Sequence, residues 1–168
     1  GRDIGRVESR PELVERYIGY LRSTAKCRLA GLRVVLDCAN GAASAVMPTL
    51  LKELGCRLAV VSKTPNGTNI NENCGSTHLE RLQEAVAFHQ ADIGIAHDGD
   101  ADRCLCVDET GEIIDGDHLL VILALALQKN GALKQDTVVS TVMANIGFHQ
   151  ALKKYGIKTE TTAVGDRY

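Results

Sequence analysis

The sequence predicts an α/β fold, with a three-layer α/β/α domain followed by the first part of a second, similar domain. From Gly31 onward, short runs rich in β-branched residues alternate with longer segments of helical periodicity, which is typical of α/β architecture. The composition, with 45% hydrophobic and 24% charged residues, lies in the globular range. After the first set of strands and helices, only two more of each are predicted before Tyr168, so we expect the second domain to be incomplete.

The first elements follow from periodicity and from their breakers. A leading helix is predicted over residues 10–23, whose apolar residues recur at helical spacing. The run Leu-Arg-Val-Val-Leu-Asp predicts a buried strand at 32–37. Residues 42–54 are predicted to form a helix that Gly55 ends, and residues 57–61 are predicted to form a second strand.

An irregular segment separates these elements from the next strand. Residues 64–77 are crowded with Asn, Gly and Thr, which predicts a loop. Thr77 is expected to cap a helix over 78–89, and the apolar run 92–96 is expected to form the third strand.

The remaining chain continues the alternation through a hairpin into the second domain. Residues 105–107 and 112–114 are expected to pair as this hairpin, with Gly111 in the turn. The later elements are predicted as a helix at 116–129, a strand at 137–141, a helix at 146–155 and a strand at 157–162. The predicted boundaries are 1–30 for the leading helix and linker from a missing first domain, 31–112 for the complete α/β/α domain and 113–168 for the incomplete one.

Composition and charge argue against several classes of protein. A net charge of -2 and 4% aromatic residues argue against a nucleic-acid-binding protein. The longest apolar stretch, 119–127, is too short to span a bilayer, and we expect no membrane association. No paired spacing joins the six cysteines, so free thiols and a cytoplasmic location are expected; they occupy positions 27, 38, 56, 74, 104 and 106.

An acidic cluster follows the third predicted strand. Asp98, Asp100 and Asp102 lie at the carboxyl end of this strand, where open α/β sheets place their ligands. In an extended segment these alternate residues would point the same way, so that their carboxylates converge. A hard cation such as Mg²⁺ would relieve the repulsion between them. A solvated acidic turn is the structural alternative.

Arg103 follows the cluster, and its guanidinium is placed either to contact a phosphate or to pair with one of the aspartates. The pattern does not fit an EF-hand loop, since Arg103 stands where that loop requires glycine. A haloacid-dehalogenase type phosphatase is an alternative, because Asp98 and Asp100 satisfy its Asp-x-Asp pattern with Asp98 as nucleophile. A metal-binding module without turnover is the other alternative.

The sequence Asp-Gly-Asp-Ala-Asp-Arg after Gly-Ile-Ala-His resembles the metal-binding loop of the α-D-phosphohexomutases. The Cys-Gly-Ser-Thr-His segment and the closing Val-Gly-Asp-Arg-Tyr favour the bacterial branch that acts on glucosamine phosphates in amino-sugar biosynthesis. Further supporting segments are Asp-Cys-Ala-Asn-Gly-Ala at 37–42, Asn-Ile-Asn at 69–71, Asp-Gly-Asp at 115–117 and Thr-Val-Met-Ala-Asn at 141–145.

The resemblance implies a fold of the phosphohexomutase type with four domains around one cleft, of which this chain holds domain 2 and the start of domain 3. It implies that Asp98, Asp100 and Asp102 hold Mg²⁺ together with a phosphoserine of domain 1, and that Arg103 lies beside that phosphate. Asp166 and Arg167 would contact the substrate.

The implied reaction interconverts glucosamine 6-phosphate and glucosamine 1-phosphate by phosphoserine-mediated phosphoryl transfer. The implied partners are a phosphorylated amino sugar and domains 1 and 4 of the same polypeptide, with a homodimer left open. The chain lacks the family's Ser-His-Asn-Pro and Gly-Glu-x-Ser-Gly-His loops, so we expect it to be inactive by itself.

Overall fold

The computed structural model describes residues 5–165, which form two compact units that divide between Ile113 and Ile114. The helices and strands of the first unit are α1 (Pro11–Thr24), β1 (Arg33–Asp37), α2 (Ala43–Glu53), β2 (Arg57–Val61), α3 (Glu80–His89), β3 (Ile93–His97) and β4 (Cys104–Asp108). The short strand β5 (Ile113–Ile114) lies at the division. The second unit contains α4 (Gly116–Lys129), β6 (Thr137–Thr141), α5 (Ile146–Lys154) and β7 (Lys158–Thr162).

The sheet of the first unit has the strand order β2-β1-β3-β4-β5. Strand β1 pairs in parallel with both β2 and β3, whereas β4 runs antiparallel to β3. The carboxyl ends of the three parallel strands therefore lie along one edge, and β4 begins at that same edge. This edge is where an α/β sheet presents its ligand-binding loops.

The side chains of β1 alternate between the two faces of the sheet, and each face packs against a helix, which gives the three layers of the α/β/α domain. Val34 and Leu36 pack with Leu51 of α2 on one face of the sheet. Val35, one residue out of phase, packs with Leu82 of α3 on the opposite face, because successive side chains of a strand point to opposite sides. Helix α1 lies against α2. The predicted α/β/α arrangement of this domain is confirmed.

The second unit is a parallel pair of strands packed with two helices. Strands β6 and β7 pair in register from Thr137 with Lys158 to Thr141 with Thr162. Its core consists of Ala124, Phe148, Leu152 and Ile157. In the part of the chain that the structure describes, no helix combines the length and the apolar character needed to cross a membrane.

One predicted helix boundary is wrong. Thr77 was expected to cap a helix at 78–89, but α3 begins at Glu80 and has no side-chain cap. Residues Gly75–Thr77 instead form a separate 3-10 turn, in which His78 N donates to the Gly75 carbonyl oxygen at 3.1 Å. The turn is held by Gly75 N, which donates to the buried carboxylate of Asp37 at 2.9 Å. A contact between residues so distant in sequence could not be deduced from local capping patterns.

Candidate metal and phosphate site

The aspartate loop, defined here as Asp98–Arg103, joins the antiparallel strands β3 and β4 at the edge of the sheet where the parallel strands end. Its three carboxylates each offer one oxygen, and these oxygens lie within 4.8 Å of one another. The Asp98 side chain is 12% exposed, whereas that of Asp102 is 69% exposed. The loop therefore presents an all-oxygen cluster with one sheltered and two open members.

The carboxylates converge through a turn. The sequence pattern predicts convergence along an extended segment instead. Ala101 has a left-handed backbone, with φ of +63°, and its N–H donates to the Asp98 carbonyl oxygen at 3.1 Å. Arg103 N donates to Asp98 Oδ1, also at 3.1 Å. The turn folds the loop back on Asp98, because a left-handed residue reverses the direction of the chain.

The aspartates influence one another's ionisation in opposite directions. Burial opposes the charged form of Asp98, but hydrogen bonds from Arg103 N and with Asp102 and Asp100 outweigh it and lower the pKa of Asp98. The pKa of Asp102 is raised, first by its hydrogen bond with Asp98 and then by the negative charges of Asp100 and Asp98. Crowded carboxylates of this kind are partners for a cation.

Arg103 carries its positive charge into solvent beside the cluster. Its side chain is 72% exposed, and Nε lies 3.7 Å from Asp98 Oδ2 and 3.9 Å from Asp102 Oδ1. These contacts are longer than a charge-assisted hydrogen bond, which is about 2.7–2.9 Å. The guanidinium is therefore only loosely paired and retains donors that could face an anion.

Two glycines let other parts of the chain approach the aspartate loop. A Cβ atom on Gly41 would lie 2.1 Å from the Gly99 carbonyl oxygen, and Ala42 N donates to that oxygen at 2.8 Å. On its other side, a Cβ atom on Gly99 would lie 2.6 Å from the Ile70 side chain and 2.8 Å from that of Asn71. The start of α2 and the loop of residues 64–77, to which Ile70 and Asn71 belong, thus support the aspartate loop from two sides.

Asp37 is a site-supporting residue that the sequence argument did not single out, although its segment contributed to the family resemblance. It is fully buried at the end of β1, and its carboxylate accepts hydrogen bonds from Ala39 N and Gly75 N. The available signal was a carboxylate directly after the apolar run Val34–Leu36, because a buried carboxylate requires hydrogen-bond partners. Asp166 and Arg167, the expected substrate contacts, lie outside the described residues.

Comparison with known protein families matches each of the two units to a family domain. Residues 15–111 match the phosphoglucomutase/phosphomannomutase α/β/α domain II, and residues 115–168 match domain III of the same family. Phosphoglucosamine mutases from Mycolicibacterium paratuberculosis and Rhodococcus erythropolis are each 53% identical to the chain over all 168 residues. The chain spans 38% of the length of each of these relatives.

Solved structures share the fold. A phosphoglucomutase/phosphomannomutase family protein from Burkholderia thailandensis superposes with a TM-score of 0.77 and 25% identity, over 91% of this chain and 33% of that one. An N-acetylphosphoglucosamine mutase from Aspergillus fumigatus, crystallised with glucose 1,6-bisphosphate, gives a TM-score of 0.61 and 22% identity, over 92% of this chain and 32% of that one. The chain belongs to the phosphoglucomutase/phosphomannomutase family, matching its α/β/α domains II and III.

Proposed function

We propose that this chain is the metal-binding part of a cytoplasmic phosphoglucosamine mutase that interconverts glucosamine 6-phosphate and glucosamine 1-phosphate. The observation that carries the proposal is the convergence of Asp98, Asp100 and Asp102 within 4.8 Å, in a chain 53% identical to curated phosphoglucosamine mutases. Because the chain spans 38% of those relatives, the activity belongs to a longer polypeptide whose other domains complete the site.

The aspartate loop fits Mg²⁺ by its donor chemistry. Carboxylate oxygens are the ligands that hard divalent cations prefer, and Mg²⁺ commonly uses one or two carboxylates together with phosphate oxygens. The raised pKa of Asp102 is consistent with the same assignment, because its hydrogen bond with Asp98 and the negative charges of Asp100 and Asp98, which together raise it, reflect crowded carboxylates that a cation would stabilise. Asp98, Asp100 and Asp102 would hold the ion, and a phosphoserine outside this chain would complete its ligands.

Phosphoryl transfer depends more on positioning and charge neutralisation than on covalent chemistry by the protein. A bound Mg²⁺ would neutralise charge on the phosphoryl oxygens. Arg103, exposed and loosely paired, would contact the phosphate with its free N–H donors and orient it. Asp166 and Arg167 are proposed to contact the phosphorylated amino sugar.

The proposed cycle requires a serine that carries a phosphoryl group between half-reactions. That group passes to the sugar, and the other phosphoryl group of the resulting bisphosphate returns to the serine. The longer polypeptide would supply this serine, so the 168-residue chain alone should show no turnover.

The phosphatase alternative is less well supported. An aspartyl nucleophile must present a free oxygen to the phosphorus atom. Asp98 is only 12% exposed in its side chain, and its Oδ1 accepts from Arg103 N. The family match also favours mutase chemistry. Trapping of beryllofluoride on Asp98 would favour the phosphatase, whereas a mutase segment should not form this adduct.

A chimaeric enzyme tests the proposed function. The 168 residues replace the matching segment of the Mycolicibacterium paratuberculosis relative, and formation of glucosamine 1-phosphate is followed in a coupled assay with a bisphosphate activator. We expect the chimaera to turn over glucosamine 6-phosphate faster than glucose or mannose 6-phosphate. Within it, D100N should lower kcat/KM by about 100-fold or more, because transition-state charge would lose part of its stabilisation.

The matched control is E109Q, which removes an exposed carboxylate outside the cluster. It should leave kcat/KM within about twofold, since surface substitutions away from special features have small effects. A D100N chimaera as active as E109Q would contradict the assigned role of the aspartate loop. A folded chimaera without activity on any of the three sugar phosphates would contradict the mutase assignment and leave the non-catalytic metal-binding module.

A further inference from the structure

We propose that Asp37 is a positioning residue for the aspartate loop, holding the platform on which Asp98, Asp100 and Asp102 converge. This inference rests on the proposed function, because it assumes that the aspartate loop binds the metal. Asp37 ends the central strand β1 and is 0% exposed. It is not a ligand in the proposed site and would act only through the backbone around it.

The two oxygens of the Asp37 carboxylate connect two separate loops. Oδ1 accepts from Ala39 N at 2.9 Å, in the loop between β1 and α2. Oδ2 accepts from Gly75 N at 2.9 Å, in the loop that precedes α3. A third hydrogen bond joins these loops directly, since Asn71 N donates to the Ala39 carbonyl oxygen at 2.9 Å. One buried side chain thus holds both loops at the end of β1.

Both loops then contact the aspartate loop. The first reaches it through Ala42 N, which donates to the Gly99 carbonyl oxygen at 2.8 Å. The second reaches it through Asn71, which packs so closely that a Cβ atom on Gly99 would lie 2.8 Å from its side-chain nitrogen. Gly75 also lies against the end of β3, because a Cβ atom there would lie 2.5 Å from the carbonyl oxygen of His97, the last residue of that strand. Displacement of either loop must therefore move Gly99 or its neighbours.

A carboxylate is suited to this position because both of its oxygens accept hydrogen bonds. An asparagine has one acceptor oxygen and an NH₂ group that only donates, so one of the two backbone N–H groups would face another donor. A buried donor without a partner is costly, and the loop that carries it should shift to find one. D37N therefore changes the hydrogen bonding with little change in side-chain volume.

The test compares D37N with V35A in the full 168-residue chain. Val35 is also fully buried on β1, but it packs against α3 and makes no hydrogen bond to either loop through its side chain. Urea unfolding gives the stability of each variant, and all measurements are made where wild type and variants are at least about 95% folded. Mn²⁺ affinity is measured by electron paramagnetic resonance, and amide hydrogen exchange is measured for residues 98–103.

We expect D37N to weaken Mn²⁺ binding by about tenfold or more, as is typical when a residue supporting metal ligands is changed. In D37N, amide hydrogen exchange should also accelerate in residues 98–103. This acceleration should exceed the one in β1, which reports the loss of overall stability. V35A should leave the Mn²⁺ affinity within about twofold, because a core truncation lowers stability without moving the loops. If D37N does not fold, D37S is used, since a single hydroxyl oxygen on a shorter side chain then replaces the two carboxylate oxygens that accept from Ala39 N and Gly75 N.

The proposal would be overturned if D37N bound Mn²⁺ with the affinity of wild type and if its residues 98–103 exchanged their amide hydrogens at the wild-type rate. Equal losses of affinity in D37N and V35A at equal folded fraction would also overturn it, because the effect would then follow stability alone. If the wild-type chain binds no Mn²⁺, the proposed function loses its support from this chain. Exchange of residues 98–103 then decides the positioning role: selective acceleration in D37N upholds it, and unchanged exchange removes it.

Discussion

Ala42 donates its backbone N–H to the carbonyl oxygen of Gly99 at 2.8 Å, which ties the start of α2 to the aspartate loop. The two segments are far apart in sequence and meet because β1 and β3 are parallel neighbours. The contact requires Gly41, since a Cβ atom there would lie 2.1 Å from the same oxygen. The aspartate loop therefore depends on the backbone of a different loop for its position.

We expect G41A to lower the free energy of unfolding by about 1–3 kcal/mol, the usual cost of inserting a methyl group into a packed site. It should also weaken Mn²⁺ binding, because Gly99 must move. The matched control is G19A in α1, where a Cβ atom meets nothing within 4 Å. Alanine is the better helix former, so G19A should stabilise the chain by about 0.5–1 kcal/mol. Urea unfolding with G41A as stable as wild type would contradict the expectation.

Removal of one negative charge should stabilise the metal-free protein while it impairs the site. The pKa of Asp102 is raised in the folded chain, so its ionised form opposes folding at neutral pH. D102N should therefore raise the Tm in EDTA at pH 7 and low ionic strength, and should weaken Mn²⁺ binding. The increase in Tm should shrink with added salt, which screens the repulsion.

The pH dependence of the D102N effect has a defined sign. As pH falls through the raised folded-state pKa of Asp102, wild type takes up a proton there, which favours the hydrogen bond with Asp98 and removes the charge repulsion from Asp100 and Asp98. The difference in Tm between D102N and wild type should therefore decrease on acidification. E109Q is the charge-matched control and should change the Tm less at pH 7. A lower Tm for D102N in EDTA at pH 7 would refute the proposed repulsion.

Asp115 caps α4 in the second unit. Its side chain accepts from His118 N at 3.0 Å, and this hydrogen bond is the main cause of its lowered pKa. D115A should destabilise the helix by about 0.5–2 kcal/mol, whereas D115N should retain most of the cap because asparagine is an equally good cap residue. Amide exchange within α4 measures this local effect.

The contribution of ionised Asp115 should be lost on acidification. A folded-state pKa below the unfolded value means that stability is present above the unfolded pKa and is lost as pH falls through the folded one. The difference between wild type and D115A should accordingly shrink at acid pH. A pH-independent difference in α4 exchange, or equal protection in D115A and wild type at pH 7, would contradict this assignment.

The six cysteines are free thiols in the structure. Thiol counting on denatured protein, purified without reductant, should find all six. Cys104 and Cys27 are exposed, whereas Cys38 and Cys74 are 0% exposed and should react last in the native chain. A reproducible loss of two thiols in the denatured count would show a disulfide.

Cys104 should react with iodoacetamide more rapidly at pH 7 than an ordinary exposed thiol. A hydrogen bond from Cys106 lowers the pKa of Cys104 to about 7, which increases the thiolate fraction. Its alkylation rate should fall as pH drops below that value. C106A removes the donor and should slow Cys104 alkylation at pH 7, as followed by peptide mass spectrometry. Equal rates in C106A and wild type would exclude this hydrogen bond as the cause.

The local elements could be predicted from the sequence because their causes are local. The apolar run of β1, the helical spacing in α1 and the acidic run after β3 each act over a few residues, and the structure contains each element close to its expected bounds. Proximity in sequence also suggested that Asp98, Asp100 and Asp102 could come together. The turn that brings them together was not foreseen, because Ala101 carries no signal for a left-handed backbone.

Only the tertiary structure decided what supports the site. Asp37 reaches Gly75 across 38 positions, and Gly41 lies against Gly99 because the parallel strands β1 and β3 bring their following loops to one edge. Local propensity contains no information about such pairs, since strand order and direction are set by burial of the whole sheet between α2 and α3. The sequence alone therefore determined which residues could hold a cation, and packing determined the platform that holds them.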